Sequence, residues 1–281
     1  MIGEDVRRNL RWVKVSDPDT DLSAFPTFLI IGPQRTGTTW LHAHLRHHPQ
    51  VFLAEPKELH FFNSLKSRDP RRFVSDDVSF YLQYFREPLW RRAAKTARSL
   101  WNCRAFYAPR VRGEATASYA ALDADVIADI AALNPDIKAI LMVRDPIERA
   151  WSHAKKDLVR NRKRRMADVS EAEFRAFFAD PYQLRCARYV EQYDQWAAHL
   201  RPGHLMVGAF DDITTRPEEL LLDVMRFLDV RADRRCLDPS LREPVNTTET
   251  TVIPEQYRAM LRELLARDLE QLKERFGFSW P

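Results

Sequence analysis

Cysteine is scarce, with three residues in 281. Cys103, Cys186 and Cys236 are odd in number, scattered and without ligand spacing. This argues against a disulfide framework and against a zinc site, and makes a reducing, cytoplasmic compartment the expectation. Long apolar runs are also missing. The N-terminal MIGEDVRRNLRWVKV holds no stretch fit for a signal peptide, and nothing approaches the ~18 continuous apolar residues of a membrane span. A soluble protein is expected. Charge excess is small: 44 Lys+Arg against 40 Asp+Glu, a net of +4. That suits an anionic ligand better than a dedicated nucleic-acid binder, and no nucleic-acid recognition motif occurs. Repeats, low-complexity tracts and linker-like stretches are absent, so a single domain is expected.

What is present is a large globular mixture, 45% apolar and 30% charged, which excludes whole-chain disorder. Phe28–Ile31, Lys138–Val143 and His204–Phe210 read as three buried central strands, with Val51–Leu53 and Leu59–Phe62 as short extended pieces. Helical periodicity covers about 38–48, 80–85, 121–133, 147–160, 182–200, 217–228 and 255–275. Residues 63–78 read as a polar loop. Strands alternating with helices predict an α/β fold with a central parallel sheet covered on both faces.

FLIIGPQRTGTTWL is the most informative segment. A buried strand ends at Gly32, a loop follows, and a helix starts near Thr38. The spacing Gly32-x4-Gly37 is that of a P-loop, whose backbone N–H groups and helix N-terminus cradle phosphate oxygens. The nucleotide-triphosphatase version needs Lys at the position of Thr38. The nearby cation is instead Arg35, inside the loop. A purely structural Gly-containing turn is the bland alternative. KAILMVRDPIERAWSH repeats the logic on a second strand. Arg144 sits at the C-terminal strand edge, where open α/β sheets bind ligands, and Ser152 follows eight residues later. Between them EPKELHFFN, if extended, projects Glu58 and His60 to one face, a competent proton-abstracting pair. The alternative there is an ion-paired Glu beside a half-buried core His.

These motifs, in this order, resemble the sulfotransferases that use 3′-phosphoadenosine 5′-phosphosulfate (PAPS), over about residues 26–281. The resemblance implies a P-loop-like sulfotransferase domain at 25–281 after a polar arm at 1–24. It implies that Arg35, Thr36, Gly37, Thr38 and Thr39 hold the 5′-phosphosulfate and that Arg144 and Ser152 grip the 3′-phosphate. Trp40 matches an adenine-stacking position, with a core tryptophan as the equal alternative, and Tyr189 a nucleotide-contacting one. The K-E-x-H-F-F segment is similar to the carbohydrate branch, implying Glu58 as catalytic base with His60 as partner or substitute. Arg35 departs from the Lys of many members and, always charged, serves charge stabilisation rather than proton donation. Asn246, Thr247 and Thr248 stand where the family has Lys-Gly-Arg.

The implied reaction is in-line sulfuryl transfer to a hydroxyl, ahead of an amine, of a small-molecule or saccharide acceptor, leaving PAP, with no metal. Two rivals remain at this point: a P-loop kinase-like phosphotransferase using Asp211 or Asp212 for Mg²⁺, and a non-catalytic nucleotide- or glycan-binding module on the same fold. The basic runs at 66–72, 91–98 and 160–165 read as solvated faces, or as a lip attracting an acidic acceptor.

Overall fold

The computed structural model describes residues 4–242 and 252–280. Five parallel strands form one sheet: β1 (Phe28–Gly32), β2 (Val51–Leu53), β3 (Val111–Ala115), β4 (Lys138–Val143) and β5 (Leu205–Ala209), in spatial order β2-β3-β1-β4-β5. Period-two alternation divides the central strands between two cores. Leu29, Ile31, Leu141 and Val143 enter one, and Phe28, Ile30, Ile140 and Met142 enter the other. A third cluster, built on Trp151, Phe174, Phe178 and Tyr257, lies behind the helix after β4.

Three expectations need correction. β5 is an edge strand, so its residues are mostly half-buried. β3 (VRGEA) pairs with β1 and β2 although its Arg, Gly and Glu broke the apolar pattern. Its Gly113 is required, because a Cβ there would stand 2.4 Å from the Phe28 ring. Leu59–Phe62 is not extended, since Glu58 and His60 have φ of 66° and 56° and a helix runs from Phe61 to Ser67.

Further helices occupy Leu89–Cys103 and Glu171–Ala179, where charge masked the periodicity. The stretch 182–200 splits into Pro181–Arg185 and Tyr189–Ala197. Residues 11–14 are tied to the domain. The Asp129 carboxylate accepts the N–H groups of Arg11, Trp12 and Val13 at 2.7–2.9 Å, and Lys14 bridges to Asp77. Among the described residues no helix is long and apolar enough to cross a membrane.

β1 and β4 are neighbours, and their onward connections leave in opposite directions, toward β2 and toward β5. This is the topological switch point at which open parallel sheets place ligand crevices.

Candidate active site

At that point the chain turns sharply out of β1 and enters the helix Thr38–Leu45 through Gly37. Gly37 has φ 91°, and a Cβ on it would lie 2.3 Å from Ile213 Cδ1. Gly32 has φ 90°, and a Cβ there would strike the Ala117 carbonyl at 2.1 Å. Both glycines are therefore demanded by backbone conformation and by close approach. Thr36 is fully buried and its hydroxyl donates to the Pro33 carbonyl at 2.6 Å, closing the loop on itself. Arg35 sits at φ 72°, a left-handed conformation that costs a non-glycine residue about 1–3 kcal/mol.

The second segment converges on the first. Asp145 caps the helix Pro146–Ala154 by accepting the Ile147 N–H, and Pro146 begins it, which fixes Ser152 two turns in. Arg35 Nε donates to Ser152 Oγ at 2.9 Å, and Arg144 Nη1 donates to the Arg35 carbonyl at 3.1 Å. The Arg144 guanidinium also lies over the Phe210 ring at 4.2 Å. Burial, then the positive charges of Arg144 and Arg160, pull the Arg35 pKa down to about 10. Burial likewise lowers that of Arg144. Two desolvated guanidiniums held beside each other make a site whose electrostatics favour a multiply charged anion.

Glu58 and His60 converge by a route other than strand alternation. Glu58 Oε2 accepts the Ala117 N–H at 3.0 Å, Oε1 takes the Lys57 ammonium, and His60 Nε2 is 4.0 Å from Oε2. His60 Nδ1 lies 3.3 Å from both Asn63 Oδ1 and Ser118 Oγ. Burial, then Arg72, lowers its pKa, so the imidazole is neutral near pH 7. Because Ala117 also packs on Gly32, one short segment joins the Glu58/His60 pair to the phosphate loop.

Sequence reasoning gave Ala117 and Ser118 of this segment no role. The segment is held from below by Glu114, 1% exposed, which accepts from Tyr81 at 2.5 Å and from Thr116 at 2.7 Å. A buried carboxylate in a strand was the available signal. Arg160, first of a basic run, contributes to the potential at Arg35, whereas Arg164 and Arg165 are ion-paired to Glu173 and Asp168.

Two candidates move elsewhere. Trp40 is 4% exposed, packed in the core against His44, with its indole N–H on the Leu241 carbonyl at 3.3 Å. A ring so enclosed offers no face to adenine. Tyr189 is fully buried among core residues near Arg144 and Arg149, so it backs the strand end rather than lining a surface. Asp212 is engaged by both ends of the Arg216 guanidinium at 2.8 Å, and Asp211 accepts the Trp280 indole N–H at 2.8 Å. Asn246, Thr247 and Thr248 lie outside the described residues.

Comparison with known proteins bears on the family and the fold. The model of the family described as "Sulfotransferase family" matches residues 26–234. The chain belongs to the sulfotransferase family. The family is named for sulfuryl transfer, which favours that reading over the kinase-like and non-catalytic ones. A bifunctional heparan sulfate N-deacetylase/N-sulfotransferase from Drosophila melanogaster is 24% identical over 81% of this chain and 21% of its own length. A human counterpart, numbered 2, is 25% identical over 81% of this chain and 24% of its own length. This sulfotransferase-family chain thus spans about a fifth to a quarter of those relatives. In fold it is similar to a sulfotransferase from Alicyclobacillus acidocaldarius, with a TM-score of 0.62 and 23% identity, covering 91% of this chain and 97% of that one. The sulfotransferase domain of the Synechococcus PCC 7002 olefin synthase gives a TM-score of 0.53 at 16% identity, covering 95% and 100%.

Proposed function

We propose that this chain transfers a sulfuryl group from PAPS to a hydroxyl, ahead of an amine, on a small-molecule or carbohydrate acceptor, in a domain spanning 25–281. The observation that carries this is the convergence of Arg35, Arg144 and Ser152 at the β1/β4 switch point. A buried pair of guanidiniums beside a glycine-bounded loop and a helix N-terminus fits a nucleotide with two separated phosphates. When bound, PAPS supplies an activated sulfuryl group on a phosphate leaving group.

The chain's own residues do the rest. Arg35, Thr36, Gly37, Thr38 and Thr39 hold the 5′ end, and Arg144 with Ser152 hold the 3′-phosphate. Arg35, charged at neutral pH even with its pKa near 10, neutralises negative charge gathering on the departing phosphate. Glu58 takes the acceptor proton at Oε1, where the acceptor displaces Lys57, while the Ala117 N–H holds Oε2 in place. His60, neutral and anchored through Nδ1, orients the carboxylate and stands as the alternative base.

The carbohydrate part of the acceptor class is supported by the KELHFF segment and by relatives whose names specify heparan sulfate. Those names specify N-sulfation, so the amine stays in the test beside the hydroxyl. The test is transfer of labelled sulfate from PAPS to a panel of saccharides, phenols, lipids and other alcohols and amines. Arg144→Ala and Glu58→Ala are the controls. Labelled product that disappears in both variants is the expected result. Wild-type rates in both variants would overturn the assignment.

A further inference from the structure

The helix Leu89–Cys103 turns its apolar side outward. At 100° per residue, Leu89, Ala93, Ala97, Leu100, Trp90 and Trp101 fill one arc of about 120°. Leu89, Trp90 and Trp101 are 83%, 68% and 88% exposed. The flank beyond Leu89 seats Ser99 and Cys103 in the domain, with the Ser99 hydroxyl donating to the Ala105 carbonyl at 2.6 Å. Phe106, just beyond the helix, is also exposed.

Charge says what fits this face. Residues 88–110 carry Arg91, Arg92, Lys95, Arg98, Arg104 and Arg110 and no Asp or Glu. Arg98 follows the arc on one side beyond Ala94, and on the other side Thr96 and the buried Cys103 come before Arg92. Arg91 lies over the Trp90 ring at 5.2 Å and reaches Glu55 at 3.6 Å, Arg98 reaches Asp238 at 3.9 Å, and both stay about half exposed. A second copy docking through the same face would bring these arginines against their own images, with carboxylates only at the margin of the face in Glu55, Glu87 and Asp238. Two tryptophans on an apolar stripe, rimmed by arginine, match the division of a bilayer surface into acyl boundary and anionic headgroup.

We propose that this helix docks the protein on an anionic lipid surface, lying in the interface without spanning it. The inference does not depend on sulfuryl transfer and is tested without it. The full chain is sedimented with phosphatidylcholine vesicles, with and without phosphatidylserine. Pelleting with the serine-containing vesicles that falls steeply with salt or without phosphatidylserine is the expected result.

Trp90→Ser with Trp101→Ser should weaken vesicle binding about tenfold or more, with thermal midpoint and elution volume unchanged. Arg92→Glu with Arg104→Glu should abolish the preference for phosphatidylserine. Wild-type protein left in the supernatant, or equal pelleting with both vesicle types, overturns the proposal. So does a wild-type dimer that the double tryptophan variant converts to monomer, since the face would then be a copy interface.

Discussion

Arg35 Nε donates to Ser152 Oγ over 2.9 Å, tying the loop after β1 to the helix after β4. The two segments proposed to hold the anion are therefore one hydrogen-bonded unit, closed by Arg144 on the Arg35 carbonyl. Whatever occupies one end is felt at the other through a single guanidinium.

Coupling of that kind is measurable. Arg35→Ala should slow transfer by about 10²–10³, the usual cost of removing one donor aimed at developing charge. Ser152→Ala should weaken PAP binding and also slow transfer, because Arg35 loses its lateral support. In the double variant the losses should fall short of the product of the single ones, as expected for residues in contact. Steady-state kinetics with calorimetry of PAP binding reads both effects. Multiplicative losses would mean that the residues act independently.

Glu58→Gln retains an oxygen for the Ala117 N–H and so keeps the segment's geometry, while removing the base. A fall in kcat of about 10²–10⁴ with PAP affinity nearly unchanged is expected. His60→Asn should cost less, since the imidazole lies 4.0 Å from the carboxylate and acts through it. If the histidine variant proved the more damaging, the proton-abstracting role would pass to His60.

Much of this arrangement was legible in the chain because glycine, proline and buried apolar runs report backbone requirements directly. Gly32, Gly37 and Asp145-Pro146 marked both strand-to-helix turns, and both are where expected. What escaped depended on partners distant in sequence. β3 was hidden because Arg112 and Gly113 interrupt its apolar pattern, and Gly113 makes sense only against Phe28. Glu58 and His60 do lie together, 4.0 Å apart, but not for the reason the sequence suggested. They meet through left-handed turns anchored on Ala117 and Ser118, not through strand alternation. Trp40 and Tyr189 show the reverse limit, since an aromatic residue on a helix beside a loop can equally face the core, and these do.

Gly37 offers a sharper test of the loop. Gly37→Ala must hold φ 91° with a side chain and drive its Cβ toward Ile213 Cδ1. Loss of about 1–3 kcal/mol in stability is expected, together with loss of PAP binding. Adding Ile213→Ala should relieve the steric part and recover some of the stability, leaving binding impaired because the backbone strain persists. Thermal melts and calorimetry separate the two. Full recovery of binding in the double variant would mean that the left-handed backbone is dispensable.

Glu114 links stability to pH in a direction that can be worked out. Burial is the dominant cause and raises its pKa from 4.5 to about 7, against the lowering pull of hydrogen bonds from Tyr81 and Thr116. The folded protein therefore keeps a proton that the unfolded chain releases between those values. Stability from this group is fully present below about pH 4.5 and declines as pH rises through about 7. At about 1.4 kcal/mol per pH unit the whole window is worth roughly 3 kcal/mol. Glu114→Gln keeps the shape and one acceptor but cannot ionise, so its thermal midpoint should fall less than wild type between pH 5 and 8. Because Glu114 holds Thr116, and the same segment presents the Ala117 N–H to Glu58, the wild-type transfer rate should carry an alkaline-side inflection near pH 7 that the Gln variant lacks. Identical melting profiles for the two proteins across that range would show that Glu114 is ionised in the fold at all these pH values, and that the Glu58 segment is held independently of its proton.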